Sequence, residues 1–201
     1  MSRPTGRLYS IAGYLICISP LVWVGSTLVI RGLPLDLIAA LTAWSGDAAL
    51  LLCIATLAIT PLVRWTGFSA IAVWRKPLGI SAALYAVAHT LVYLGLDYAW
   101  AWRFIWDNIS AKRHLVAGTA SLVLLIPLLL TSTRGWQKRL GRRWKTLHRL
   151  VYPAVLLACV HYIWLVKTDV RWPLVATGVV TLLLLLRLPQ RKREQGKEVR
   201  M

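Results

Sequence analysis

Three of the four histidines in this chain, His89, His148 and His161, stand in or at the lip of long apolar stretches. An ionisable side chain at membrane depth is costly and marks a functional site by default. Neutral imidazole is also the usual protein ligand of haem iron that is not covalently attached. His89 lies 13 residues past Lys76, and His161 lies 13 residues past His148. If both stretches are helices running the same way from a charged lip, each imidazole stands about 20 Å along its helix. Two imidazoles at one level on neighbouring helices are what six-coordinate haem requires, so His89 and His161 are read as the ligands of an outer haem.

His148 stands at the inner lip beside Arg149, and its matched positions on the earlier helix are Arg75 and Lys76, with no histidine there. The inner level therefore offers one imidazole and two cations: a second haem with an unusual partner, a flavin, or a quinone. Arg75 and Lys76 would suit the phosphate of FMN or a quinone carbonyl. On an ideal helix, 13 residues leave His148 and His161 about 140° apart, and Pro153 between them could re-phase the span. His114, beside Lys112 and Arg113, is read as a hydrated interface residue and held as a reserve ligand.

These residues need elements to carry them. With 58% hydrophobic and 15% charged residues in 201, the chain is expected to be an all-α integral membrane protein. It reads as one transmembrane haem-binding domain over 1–201, with six spans at about 8–30, 45–63, 77–96, 114–132, 149–166 and 172–188. The first is taken as a retained helix kinked at Pro20 rather than a signal peptide, since its uncharged run is too long for one. With the N-terminus inside, eighteen of the 24 Lys and Arg fall on the inner side, and five of the seven acids fall outside. That asymmetry follows the positive-inside rule and puts both termini in the cytoplasm. The net charge of +17 thus reflects topology and contact with anionic lipid, not nucleic acid. Cys17, Cys53 and Cys159 lie in apolar runs with no metal-binding spacing and no C-x-x-C-H, so they read as core residues.

Both candidate ligands sit on a face of small residues. Gly79, Ala82 and Ala86 precede His89, and Ala154 and Ala158 precede His161, at helical spacing. Such a face admits a neighbouring helix or a flat porphyrin. Residues 189–201 carry no G-x-G-x-x-G, so electrons are expected from a lipid-soluble donor or a separate protein.

Further blocks sit around these histidines. They are Ile59-Thr60-Pro61-Leu62 with Arg64, the run from Arg75 to His89, and Thr131-Ser132, Gln137, Leu140-Gly141, Arg143-Trp144, Leu147-His148 and Val151-Tyr152. Last comes His161-Tyr162-x-Trp164-x-Val166-Lys167. In these residues the chain resembles the haem-binding membrane subunits of the bacterial periplasmic protein-methionine-sulfoxide reductase system, the MsrQ (formerly YedZ) family, within the ferric-reductase-like transmembrane group. The resemblance covers nearly the whole chain, and His89, His148 and His161 fall on the family's three histidines; His114 is outside its pattern. It implies b-type haem, with FMN also described for the family. It also implies a bacterial inner-membrane location and a periplasmic molybdopterin methionine sulfoxide reductase as partner. The electrons would come from the quinone pool or a cytoplasmic flavin reductase. The chain would then be an electron-transfer subunit and not itself the catalyst. The competing functions are a stand-alone ferric or oxygen reductase-like cytochrome b and a non-redox assembly factor.

Overall fold

The computed structural model describes residues 4–187. The termini, with Arg3 and the basic residues from Arg191 to Arg200, lie outside the described residues. Among those described there are helices and no strands. The first helix, α1 (Pro4–Arg31), runs unbroken through Pro20. It is followed by α2 (Leu37–Thr66), which Asp36 caps by accepting the Ala39 amide at 2.9 Å. The helix stops at Gly67, whose φ of +69° is a backbone state that glycine adopts without strain. A 3₁₀ segment (Ser69–Trp74) leads into α3 (Arg75–Val92), which ends in a π turn (Tyr93–Asp97). Next are a short helix, α4 (Trp102–Ala111), and α5 (Arg113–Leu130). Two basic helices, α6 (Arg134–Leu140) and α7 (Arg142–Leu147), then connect through a 3₁₀ turn (His148–Leu150) to α8 (Val151–Leu165). Last is α9 (Arg171–Leu185).

Five stretches are long and apolar enough to cross a membrane: Ile11–Arg31, Leu37–Thr66, Ser69–Asp97, Arg113–Leu130 and Arg142–Leu165. The sixth expected span corresponds to the shorter α9, whose 15 residues cover about 22 Å against a hydrocarbon core of about 30 Å. The second, third and fifth spans each begin earlier than expected, the third and fifth because a 3₁₀ segment or a basic helix joins the main helix end to end. Outward faces carry Leu15, Val22, Trp23 and Leu182, all more than half exposed. An apolar surface of that extent needs lipid around it.

Two helix hairpins form the centre, α2 packed on α3 and α5 packed on α8, with α3 meeting α5 between them. The core buries Leu57, Leu78, Val155, Val180 and Cys159. Cys17, Cys53 and Cys159 are free and buried, as expected of core residues. The small-residue faces serve this packing. A side chain at Gly79 would meet Thr56 of α2 at 3.7 Å. Ala154 is fully buried, and its carbonyl accepts the Ser121 hydroxyl of α5 at 2.8 Å. On these faces the structure realises the helix-packing reading.

Candidate functional site

His89 on α3 and His161 on α8 are brought together, their ring centres 6.2 Å apart with planes at 84°. Each ring is fixed by the first helix of its own hairpin. His89 Nδ1 donates to the carbonyl oxygen of Thr42 on α2 at 2.8 Å. His161 Nδ1 donates to the carbonyl oxygen of His114 on α5 at 2.6 Å. A carbonyl can only accept, so Nδ1 carries the proton in both rings and each Nε2 keeps a bare lone pair. That is the tautomer a metal ligand needs, oriented by its outer partner as ligating histidines generally are.

The two anchors share one design. In both hairpins 47 residues separate the carbonyl from the histidine, and a glycine stands one helical turn past the carbonyl. A Cβ at Gly46 would lie 3.1 Å from the His89 ring, and one at Gly118 would lie 2.7 Å from His161 Nδ1. Both glycines therefore open a notch that the ring fills. Thr42, Gly46 and His89 correspond to His114, Gly118 and His161 at one constant offset along the chain.

This donor set fits haem. The 6.2 Å between ring centres would let both imidazoles reach one metal ion with bonds of about 2 Å each. Among the described residues no group of three or more His, Cys, Asp or Glu is placed to hold a metal ion. A site with only two protein ligands suits iron whose other four bonds come from a porphyrin. His114, the reserve ligand, has its ring 6.0 Å from that of His161. Its carbonyl, though, is what holds His161, so its role here is carried by the backbone.

His148 is arranged differently. The Thr131 hydroxyl donates to the Pro127 carbonyl at 2.6 Å, so toward His148 Nε2, 3.2 Å away, its oxygen accepts. Trp144 stacks on the imidazole with centres 4.0 Å apart and planes at 30°, and its indole N–H donates to the Thr131 carbonyl at 3.0 Å. Trp144, Thr131 and His148 form one locked unit joining α5, α7 and the 3₁₀ turn. Among the described residues no hydrogen bond links this unit to Arg75 or Lys76, which are both exposed at the start of α3. The 3₁₀ turn at His148–Leu150 also resolves the phase problem on this helix. It advances about 120° per residue instead of 100°, which cuts the offset between His148 and His161 from about 140° to about 80°. Pro153 sits in the first turn of α8, directly after this 3₁₀ turn.

Thr42 and Gly46 were not among the residues singled out from sequence. The one signal for them was the equal spacing from Gly46 to His89 and from Gly118 to His161, which carries meaning only once both rings are known to be held.

The family described as ferric reductase like transmembrane component matches residues 45–159, which contain His89, His114 and His148 and stop just short of His161. Relatives named protein-methionine-sulfoxide reductase heme-binding subunit MsrQ align over most of the chain. The one from Rhodospirillum rubrum is 41% identical over 95% of this chain and 93% of its own length. That from Xanthomonas axonopodis pv. citri is 42% identical over 74% of this chain and 68% of its own. That from Xanthomonas euvesicatoria pv. vesicatoria is 40% identical over 81% and 73%. No solved structure matches the chain. The apolar helices and these bacterial relatives make it a multi-pass inner-membrane protein. The chain belongs to the ferric reductase-like transmembrane family and, within it, to the MsrQ subunits.

Proposed function

We propose that this chain is a b-type haem electron-transfer subunit that serves a periplasmic molybdopterin-dependent methionine sulfoxide reductase. The observation that carries the haem assignment is the pair of imidazoles 6.2 Å apart, each with Nδ1 tied to a carbonyl. The partner is taken from the printed names of the relatives, which call them protein-methionine-sulfoxide reductase heme-binding subunits; its periplasmic, molybdopterin-dependent character is what the family resemblance implies. Bound between His89 and His161, haem supplies a one-electron ferric/ferrous couple. The chain's own residues do the rest. The carbonyls of Thr42 and His114 fix tautomer and ring orientation, Gly46 and Gly118 leave room for the rings, and packed apolar helices keep water away. The basic asymmetry of the sequence supports a cytoplasmic side for the His148 end and a periplasmic side for the His89–His161 level.

The His148 end is proposed to receive electrons from quinol, or from FMN served by a flavin reductase. An imidazole with Nε2 on a threonine oxygen and one face under an indole suits a polar, planar partner better than a second bis-histidine iron. His148→Ala should therefore slow reduction of the purified protein by a quinol analogue far more than it lowers outer-haem content. Charge reversal at Arg75 and Lys76 should do the same. Stopped-flow reduction beside a haem assay of the same samples checks this. Loss of one of two spectrally distinct haems in His148→Ala would make the inner site a haem site instead.

The test of the function itself is a reconstitution. Purified protein with reduced quinol analogue should show a b-type reduced spectrum that the oxidised reductase partner bleaches. A colourless preparation would favour an assembly role.

A further inference from the structure

Arg187 follows α9 and was counted from sequence with the cytoplasmic topology charges. The structure turns its guanidinium back into the bundle. Pro61 lies inside α2 and has no N–H, so the carbonyl of Leu57, four residues earlier, lacks its helical donor. Arg187 supplies the missing donor. Its Nη2 donates to the Leu57 oxygen at 2.7 Å and to the Thr60 hydroxyl at 2.9 Å. Its Nη1 donates to the Tyr152 hydroxyl at 3.1 Å, and the guanidinium carbon stands 5.6 Å over the Tyr152 ring. One side chain thus ties α9 to α2 and α8. The Leu57 side chain is 1% exposed, and Arg187 Nε is buried with no partner.

Every group that receives these bonds is neutral. Among the described residues no acid pairs with it; a charge held so among neutral groups is expensive, and a neutral donor would satisfy the Leu57 carbonyl at lower cost. Arginine is also cationic at any accessible pH. Position suggests what the charge is for. Tyr152 is one turn past His148 on α8 and nine residues before His161, about 13 Å along the helix. A fixed cation about 13 Å from an electron acceptor would, at an effective dielectric constant of about 20, favour the added electron by roughly tenfold.

We propose that Arg187 is a positioning residue whose half-buried charge, seated by the carbonyl that Pro61 leaves free, holds the electron-accepting groups of the bundle in favour of their reduced state. The proposal rests on the haem reading above. The test uses the purified full-length protein, with Arg187→Met, Arg187→Lys and the double variant Pro61→Ala/Arg187→Met. Two readouts are taken, a dye-mediated redox titration of the haem absorbance and a thermal melt.

Arg187→Met should lower the ratio of reduced to oxidised haem at the wild-type midpoint about tenfold, which is 59 mV for a one-electron couple, and should also lower the melting temperature. Pro61→Ala restores the amide that the Leu57 carbonyl lacks, so the double variant should regain the melting temperature but keep the lowered potential. Arg187→Lys keeps the charge and should stay near the wild-type potential. If Arg187→Met does not accumulate, the double variant carries the test. An unchanged potential in Arg187→Met, or a potential that returns with stability in the double variant, would reduce Arg187 to a helix tie and overturn the proposal. A colourless wild-type protein would instead overturn the two-histidine haem reading itself, which is a separate outcome.

Discussion

Replacing His161 by alanine is expected to remove most of the haem from the purified protein, and His89→Ala should do the same. On the proposed reading each ring supplies one of two protein bonds to iron, and among the described residues no group of three or more His, Cys, Asp or Glu is placed to hold a metal ion in their stead. The discriminating control is His114→Ala. The ring of His114 lies 6.0 Å from that of His161, close enough to invite a ligand reading, yet its contribution is the carbonyl that receives His161 Nδ1. Alanine keeps that carbonyl, so His114→Ala should retain haem near the wild-type level. Haem per protein, measured as the pyridine haemochrome, separates the cases. Normal content in His89→Ala or His161→Ala would contradict the ligand assignment. Loss in His114→Ala equal to that in His161→Ala would move the second ligand from α3 to α5.

The next largest effect is expected from a single methyl group. A Cβ at Gly118 would stand 2.7 Å from His161 Nδ1, inside any tolerable contact. Gly118→Ala must therefore push the imidazole off the His114 carbonyl or part α5 from α8. Overpacking of this kind costs about 1–3 kcal/mol. Loss of the orienting bond lowers metal-site affinity about tenfold or more. Gly46→Ala meets the His89 ring at 3.1 Å and should have the same sign with a smaller size. Gly178, with nothing within 4 Å, is the control and should tolerate alanine. Haem titration into the apo forms in detergent reads all three. Unchanged affinity in Gly118→Ala would show that the notch is not what holds His161 in place.

The parts of this molecule that could be read from sequence are those set by fixed helix geometry and by the cost of polar groups in lipid. The matched depth of His89 and His161 needed only the helical rise and two charged landmarks, and the structure places the rings side by side. The small residues along their helices were equally visible. Sequence left open whether they admit a porphyrin or a helix, and the contacts at Gly79 and Ala154 are with helices. Other features carried no side-chain signature. The Thr42 partner of His89 is a backbone oxygen, which any residue could offer, and Gly46 looks like any other glycine in an apolar run. The role of His114 is likewise in its carbonyl, which its side-chain chemistry cannot announce. The phase between His148 and His161 depends on a three-residue 3₁₀ turn, a local tightening that apolar periodicity does not encode. Arg187 was hidden for another reason. A cation just past a span is ordinarily a topology signal, and only the folded bundle shows it meeting the carbonyl freed by Pro61 on a helix more than a hundred residues earlier.

The most direct test of the central claim, that one haem iron is held between His89 and His161, is a low-temperature electron paramagnetic resonance spectrum of the oxidised protein. Two imidazole ligands should give a low-spin ferric signal, and ring planes at 84° should make it strongly anisotropic. In His161→Ala, any residual haem should be high-spin. A high-spin signal in the wild-type protein, or the same low-spin signal surviving in His161→Ala, would contradict the account.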